Sequence, residues 1–493
     1  MKEQSKFSKV LSILLSIVLI ISSFYLLYQV IRLNVLPSKF LFPLTIGVVV
    51  LDAIFILLLV YFSKNVVSKI ICIVLTLFIC LASCMGGYYI SKTQGALSNI
   101  TSVAKHAKNT VSVIVKESSS IKNKSQLNGI SVGSLRLNEE GSKKALKELS
   151  SEGIVLNQTE YDSMTALLEA FYNGEVDSII INESSRSQIL DMEAYSNFDS
   201  NTRVVYQTSY KVKNNDSASS VSDITSKPFN VLISGSDSRG GFDENGRSDV
   251  IMVATVNPKT HTILLTSVPR DFYVTTACDA GDGCMQGALD KITHTGIHGT
   301  NTTKRTVEQL LGIEINYTFK VGFDTVTELV DVLGGVDVYV EPGYATTTSE
   351  FSVHEGVNHL NAQQALAFAR ERYSYTEGDR QRTKNQQQVL MGIVKEATKP
   401  SVITNYAAIM DTMANTFSTT MSNEEITALI KYQLNNNPTW KMEQYMVDGT
   451  GDTLMCAELG DAASVMVPDQ STVKTAKDKI NAVLAGKSSE DVQ

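Results

Sequence analysis

Three apolar stretches near the N-terminus constrain this chain before anything else: roughly Val10–Ile31, Phe40–Phe62 and Ile70–Ile90. Each approaches or exceeds the ~20 residues that a helix needs to cross a bilayer. A cleaved signal sequence fits poorly, because it carries one apolar run, and a shorter one. The expected start is a membrane anchor of three transmembrane helices within residues 1–95. Lys2, Lys6 and Lys9 lie in the N-terminal tail, Arg32 and Lys39 in the first loop, and Lys64 and Lys69 in the second. The positive-inside rule then places the tail and the second loop in the cytoplasm. Three crossings leave everything beyond about Lys92 outside a plasma membrane, although Arg32 and Lys39 weigh against that assignment. Asp52 sits in the second span, where a carboxylate is expensive, so it is expected to face another helix or a polar cavity.

The chain has 493 residues, too many for one ordinary domain. Its formal net charge of −8 gives no support to a nucleic-acid partner. Cys72, Cys80 and Cys84 fall in the third span, where thiols act as small apolar groups. Cys278 and Cys284 bracket a Gly/Asp-rich loop, and outside the membrane a short disulfide is the natural reading. Zinc would need further ligands at finger spacing. His294 and His298 are four apart, but Gly296 lies between them and no third ligand is near in sequence. No Gly-x-Ser-x-Gly elbow surrounds a plausible nucleophile.

Beyond the anchor, Thr93–Val111 reads as a polar helical connector. Residues 96–222 are expected to form an extracellular accessory domain and linker, 223–485 a second domain, and 486–493 a polar tail. Within Ile130–Asn182 a strand at Ile130–Gly133, a helix at Glu140–Ser151, a strand at Ile154–Leu156, a helix at Ser163–Asn173 and a strand at Val176–Ile181 alternate. That stretch resembles one lobe of a periplasmic solute-binding domain. A single lobe cannot enclose a ligand, so a spacer or partner-docking module is expected. Lys211–Lys227, rich in Ser, Asn and Asp, reads as a linker. Strands follow at Phe229–Gly235, Val250–Val256, Thr262–Ser267, Tyr317–Val321 and Val336–Val340. Helices are expected at Lys304–Leu311, Thr325–Leu333, Asn361–Arg372, Thr383–Thr398, Val402–Thr416, Asn423–Tyr432 and Val473–Leu484. The class is α/β, with a central sheet covered by helices.

Asp237 follows the first of these strands in Gly235-Ser236-Asp237-Ser238-Arg239, and Asp249 ends Gly246-Arg247-Ser248-Asp249 just before the second. Loops at strand ends are where a sheet offers polar groups to a ligand. A hairpin-like excursion would bring the two carboxylates together, a pair suited to a magnesium-type ion whose shell phosphate oxygens complete. Taken singly, loop aspartates cap turns far more often than they hold metals. Pro269-Arg270-Asp271 closes the third strand. The planar fork of Arg270 suits phosphate better than lysine does, with Asp271 placed to orient it; alone, the pair would read as a surface ion pair. Arg370 and Arg372 end one amphipathic helix, and Asp379, Arg382 and Gln386 open the next. Arg382 and Gln386, four apart, share a face near a helix start that already favours anions.

These strings, with Asp290-Lys291-Ile292-Thr293-His294, Leu333-Gly334-Gly335-Val336-Asp337-Val338 and Leu360-Asn361-Ala362-Gln363-Gln364-Ala365-Leu366, make the region from about Phe229 to Lys395 similar to the catalytic domain of the LytR-CpsA-Psr (LCP) family. The three spans and the intervening module resemble its capsule-associated members. The resemblance implies transfer of an undecaprenyl-diphosphate-linked glycopolymer, here a capsular polysaccharide, onto peptidoglycan. It implies Asp237 and Asp249 as magnesium ligands, with manganese as a substitute, and Arg270, Arg370, Arg372, Arg382 and Gln386 on the diphosphate, helped by Arg239 and Lys291. Catalysis would rest on Asp237, Asp249 and Arg270. Asn385 departs from the basic residue many members carry. The prenyl tail needs an apolar groove, with walls expected from Val307, Leu310 and Leu311 and from Val326, Leu329, Val330 and Leu333. Capsule-synthesis proteins are candidate partners. Two other readings stay open at this point: a polyprenyl-diphosphate phosphatase, and a non-enzymatic membrane regulator of capsule synthesis.

Overall fold

The computed structural model describes residues 6–62, 65–103, 106–213, 218–236, 244–279, 282–399, 408–413 and 417–492. They divide into two compact units. The first comprises Met1–Asn99, Thr398–Asp411 and Ser422–Pro438. It holds α1 (Lys6–Leu33), α2 (Ser38–Leu57) and α3 (Val66–Val103). All three are long and apolar enough to cross a membrane. Asp52 of α2 accepts a hydrogen bond from the Ser23 hydroxyl of α1 at 2.9 Å, so the intramembrane carboxylate does face a neighbouring helix. Gly87 lets α3 approach α1 closely, since a Cβ there would clash with the Tyr25 ring. The helix Asn423–Asn436 belongs to this unit too. The Lys39 ammonium donates to the Asn435 carbonyl at 2.5 Å, and Lys431 donates to the Asn34 side chain at 2.5 Å.

Among its described residues the second unit contains two large sheets and four two-stranded ones. The accessory sheet has five strands: β1 (His106–Lys116), β2 (Ser131–Leu135), β3 (Asn157–Tyr161), β4 (Ser178–Asn182) and β5 (Thr202–Lys213), in the order β3-β2-β4-β1-β5. Helices α4 (Glu139–Ser151), α5 (Met164–Asn173), α6 (Arg186–Asp191) and α7 (Phe198–Asn201) accompany it. The expected helical connector ends at Val103, and from His106 the chain is instead the strand between β4 and β5. Burial on both faces explains this: Val111 and Val113 belong to one apolar cluster and Ile114 to another, so the run packs as a central strand. The second strand lies at Asn157–Tyr161 rather than Ile154–Leu156: the apolar triplet leads into it, and the paired residues are the polar ones.

The main sheet is built on β6 (Phe229–Ser236), β7 (Ser248–Asn257) and β8 (Thr262–Ser267), joined by the short β9 (Tyr273–Thr275) and β10 (Leu289–Lys291) to β11 (Tyr317–Gly322). Its order is Phe417–Thr419, β11, β6, β7, β8, Lys441–Met446. β11 runs parallel to β6 and Lys441–Met446 parallel to β8; the other pairings are antiparallel. Side chains alternate between the faces of such strands. Leu232, Ile251, Val253 and Leu264 pack under α8 (Thr300–Leu311) and the helix Gln470–Leu484. Ile233, Val250 and Met252 point the other way, toward α9 (Phe323–Leu333), α10 (Ala362–Arg370) and α11 (Asp379–Ala397). Those three helices share a core with the antiparallel pair Val336–Val340 and Gly356–Leu360.

Cys278 and Cys284 are joined as a disulfide. Of the expected helix Val402–Thr416, residues 408–413 are helical and the rest lie outside the described residues. The expected linker is docked where it is described: Ser219 N–H donates to the Asn316 carbonyl at 3.0 Å, Val221 N–H donates to the Tyr317 hydroxyl at 3.1 Å, and Ile224 is buried. The expected polar tail is held as well. Ser488 Oγ and Ser489 N–H each donate to the buried Glu443 carboxylate at 2.9 Å. Burial alone would raise the Glu443 pKa; Lys441 and the two serines outweigh it and bring it to about 2, against an ordinary 4.5. A depressed carboxylate contributes stability above its unfolded pKa and loses it as pH falls through the folded one. Glu443→Gln should therefore melt a few degrees below wild type at pH 7, with the gap closing as pH falls from 4.5 toward about 2. Thermal unfolding of the solubilised chain across that range checks this, and a gap that widens on acidification contradicts it.

Candidate active site

β6 and β7 meet with Ser236 opposite Ser248, so β6 stops beside the residue that precedes Asp249. Gly235 is required there, since a Cβ would lie 2.8 Å from that of Val250. The Asp249 side chain is 9% exposed and accepts from Arg270 Nη1 at 2.7 Å. Thr293 Oγ1 donates to the same carboxylate oxygen at 3.4 Å, and Arg247 Nη2 stands 3.9 Å from the other. Adjacent antiparallel strands make this meeting: Val268 N–H donates to the Ile251 carbonyl at 2.9 Å, bringing the end of β8 beside the start of β7. Thr293 N–H donates to the Arg270 carbonyl at 3.0 Å and fixes that turn. The principal partner of Arg270 is Asp249, not Asp271, whose nearer oxygen is 3.8 Å from Arg270 Nε. Lys291 reaches Asp271 instead, at 3.3 Å.

The corner between α10 and α11 supplies the remaining charge. Arg382 pairs with Asp379 one turn earlier on α11. The Arg382 pKa is held below the usual guanidinium range, first by burial; Asp379 opposes this, and the like charges of Arg270 and Arg372 add to it. Burial pulls Arg270 the same way, but Asp249, Asp271 and Asp379 outweigh it and leave its pKa raised. Arg382 thus lies within the field of Arg270, Arg372, Asp249 and Asp379, and Arg270 within that of Asp249, Asp271 and Asp379. Arg372 stacks on Tyr373, its guanidinium carbon 4.6 Å from the ring centre. Arg370 is exposed at the end of α10. Asn385 is no part of the charged cluster: it is buried, donating to the Phe368 carbonyl at 3.0 Å and accepting from Gln381 at 3.0 Å. Asp237 and Arg239 lie outside the described residues.

Beside this cluster, on the face away from α8, lies an apolar pocket of about 580 Å³, a volume that includes its solvent-open mouth. Ile233, Met252, Val326, Leu366, Leu390 and Ile393 line it, together with Gln386, one turn beyond Arg382. Val250 and Ala369 also line it, and they neighbour Asp249 and Arg370 in the chain. Of the expected groove residues only Val326 is on the wall. Val307 and Leu311 are core beneath the opposite face of the sheet, with Leu310 packed against that core. Val330 is core among α9–α11, with Leu329 and Leu333 against it. The walls that sequence reasoning missed, Leu390 and Ile393, share α11 with Arg382 and Gln386, and that continuity was the available signal. His294 and His298 pair elsewhere: His294 Nδ1 with Asp290 at 2.7 Å, His298 Nε2 with Glu458 at 2.9 Å.

Two buried polar atoms test whether a diphosphate and its ion fit here. Arg270 Nε and Ser236 Oγ have no hydrogen-bond partner among the described residues. Buried polar groups are normally satisfied, and both atoms are of a kind that donates to a phosphate oxygen. An oxygen-only carboxylate such as Asp249 suits magnesium or manganese, with phosphate oxygens filling the shell.

The family model LytR_cpsA_psr matches residues 194–482, more than half of the chain. The chain belongs to the LytR_cpsA_psr family. It is similar to the polyisoprenyl-teichoic acid–peptidoglycan teichoic acid transferase TagU of Bacillus cereus (strain AH820), 31% identical over 236 residues covering 47% of this chain and 74% of that protein. The TagU of Bacillus subtilis (strain 168) is 35% identical over 196 residues, 40% of this chain and 60% of that one. Among solved structures, protein gbs0355 of Streptococcus agalactiae aligns with a TM-score of 0.47 at 24% identity, over 54% of this chain and 91% of that chain.

Crowded guanidinium groups should welcome a polyanion. Inorganic pyrophosphate is expected to raise the melting temperature at low ionic strength, and Arg382→Gln or Arg270→Gln to lose most of that rise. Equal rises in wild type and both variants would show that pyrophosphate binds elsewhere.

Proposed function

We propose that the chain transfers a polyprenyl-diphosphate-linked glycopolymer, a capsular polysaccharide, onto peptidoglycan at the outer face of the plasma membrane. The observation that carries this reading is a guanidinium cluster around a buried carboxylate, set directly beside an apolar cavity. The cavity accepts the near end of the prenyl tail, while Arg270, Arg372 and Arg382 neutralise the diphosphate. The acceptor hydroxyl attacks the phosphorus that carries the polymer. The bridging P–O bond breaks, polyprenyl monophosphate leaves, and the hydroxyl proton passes to solvent. Preorganised positive charge stabilises the charge that develops on those oxygens. Asp249, with Asp237, would hold a magnesium or manganese ion, which supplies further neutralisation of the phosphate oxygens. Membership of the family and the activity of the TagU relatives support polymer transfer to peptidoglycan.

Orientation follows the same reading, with the N-terminus cytoplasmic and the catalytic domain outside. Two basic residues in the first loop weighed against it, yet Lys39 is engaged with the last turn of the helix Asn423–Asn436, where a cation is favoured. That helix follows the third span in the chain, so its bonds to Asn34 and Lys39 support a first loop on the side that the chain reaches after α3.

The test uses the full chain in detergent with a polyprenyl-diphosphate glycan, peptidoglycan and magnesium. Asp249→Ala and Arg270→Ala should each lower kcat/KM by roughly a hundredfold or more. Unchanged activity in both variants would reject the site. Release of polymer without a covalent wall product would instead favour a phosphatase. Preference for a teichoic-acid donor over a capsular one would move the polymer class to that of the TagU relatives.

A further inference from the structure

The six residues Glu244–Asp249 run into the first two positions of β7, and the accessory domain grips them at two points. Glu244, Asn245, Arg247 and Ser248 are all buried. At the first grip, β1 of the accessory sheet holds Glu244. Lys108 Nζ stands 3.2 Å from its carboxylate, the Thr110 hydroxyl donates to it, and Lys108 and Glu244 form a parallel backbone bridge. At the second, Asp191, the last residue of α6, pairs with Arg247 Nη1. The helix presenting Asp191 is itself fixed, because Arg186 bonds Glu183 at 2.6 and 2.7 Å and Asp199 at 2.9 Å. The catalytic side clamps the same segment from behind. Ser248 Oγ lies 2.9 Å from Ser234 Oγ and 3.1 Å from Thr303 Oγ1, and a Cβ on Gly296 would sit 2.5 Å from the Gly246 carbonyl oxygen.

The consequence for the site lies in the two ends of one guanidinium. Arg247 gives Nη1 to Asp191, while Nη2 stops 3.9 Å short of Asp249. Asp249 already carries Arg270 at 2.7 Å. A second guanidinium at full contact would occupy the other carboxylate oxygen, the one a cation needs. We propose that Asp191 of the accessory domain is a positioning residue for the transfer site: it draws Arg247 away from Asp249 and keeps that oxygen available to a divalent ion. The accessory domain is then a working part of the catalytic site, not a spacer. This inference rests on the proposed reading of Asp249 as an ion ligand.

The experiment measures Mn²⁺ binding to the full solubilised chain by titration calorimetry, alongside melting temperature and kcat and KM as functions of ion concentration. Three variants are compared: Asp191→Asn, Asp191→Glu and Asp249→Ala. Groups that orient a metal ligand commonly carry about tenfold in affinity. Asp191→Asn should weaken Mn²⁺ binding by on the order of tenfold, with kcat recovering at saturating ion and the melting temperature of the ion-free protein within a few degrees of wild type. Asp191→Glu should restore most of the binding. Unchanged Mn²⁺ affinity in Asp191→Asn, with Asp249→Ala losing it, overturns the inference and leaves the site reading standing. Mn²⁺ binding retained by Asp249→Ala defeats the site reading and the inference with it.

Discussion

The ion pair between Asp249 and Arg270 is the contact on which the rest of this site depends. Both side chains are largely withdrawn from water, at 9% and 19% exposure. A charge in that position must be paired, because removing one partner strands the other at a cost of roughly 3–5 kcal/mol. The pair joins the start of β7 to the end of β8, and through Asp379 its field reaches the head of α11. A strand start, a strand end and a helix start thus meet at one polar point, where Arg270 Nε and Ser236 Oγ have no partner among the described residues. Arg270 and Arg382 are each paired with a carboxylate there, Asp249 and Asp379, and a polyanionic ligand is the proposed further partner of the guanidinium groups.

The two faces of the main sheet divide the work. One is sealed by α8 and the C-terminal helix into a continuous core. The other carries Ile233, Val250 and Met252 toward three helices that close on their own core and leave a cavity between. Because strand side chains alternate, the same short runs supply both. The greasy space therefore sits within a residue of the charged cluster on β7 and within a turn of it on α11. A lipid-linked diphosphate has this division of character: a hydrocarbon tail joined directly to a concentrated anion. The accessory domain adds a constraint from outside the sheet, holding the segment that presents Asp249 by Glu244 and Arg247.

Much of this was legible in the amino-acid sequence, for identifiable reasons. The strands around Leu232, Val253 and Leu264 announce themselves as continuous apolar runs, and the gathering of Arg270, Arg372 and Arg382 follows from motif strings at strand and helix ends. The cavity wall was not legible. Helical periodicity shows that α8 and α11 each have an apolar face but not which face meets a core and which meets empty space, so Val307 and Leu311 were exchanged for Leu390 and Ile393. The strands Gly449–Cys456 and Asp461–Pro468 were invisible because their pairing is mostly solvent-exposed and carries little apolar alternation. The apparent linker misled for a related reason: its few anchoring groups, Ile224 and backbone N–H donors, leave almost no compositional trace. The hold of Asp191 on Arg247 bridges 56 residues and two sheets, and no local pattern encodes it.

The central claim is that one polar corner takes a diphosphate while the adjoining cavity takes its lipid. A crystal structure of the chain with bound polyprenyl diphosphate tests this most directly. The expected result has the phosphates between Arg270, Arg372 and Arg382 and the tail running between Ile233, Val326 and Ile393. Lipid density on another surface, with the corner and the cavity empty, would contradict it.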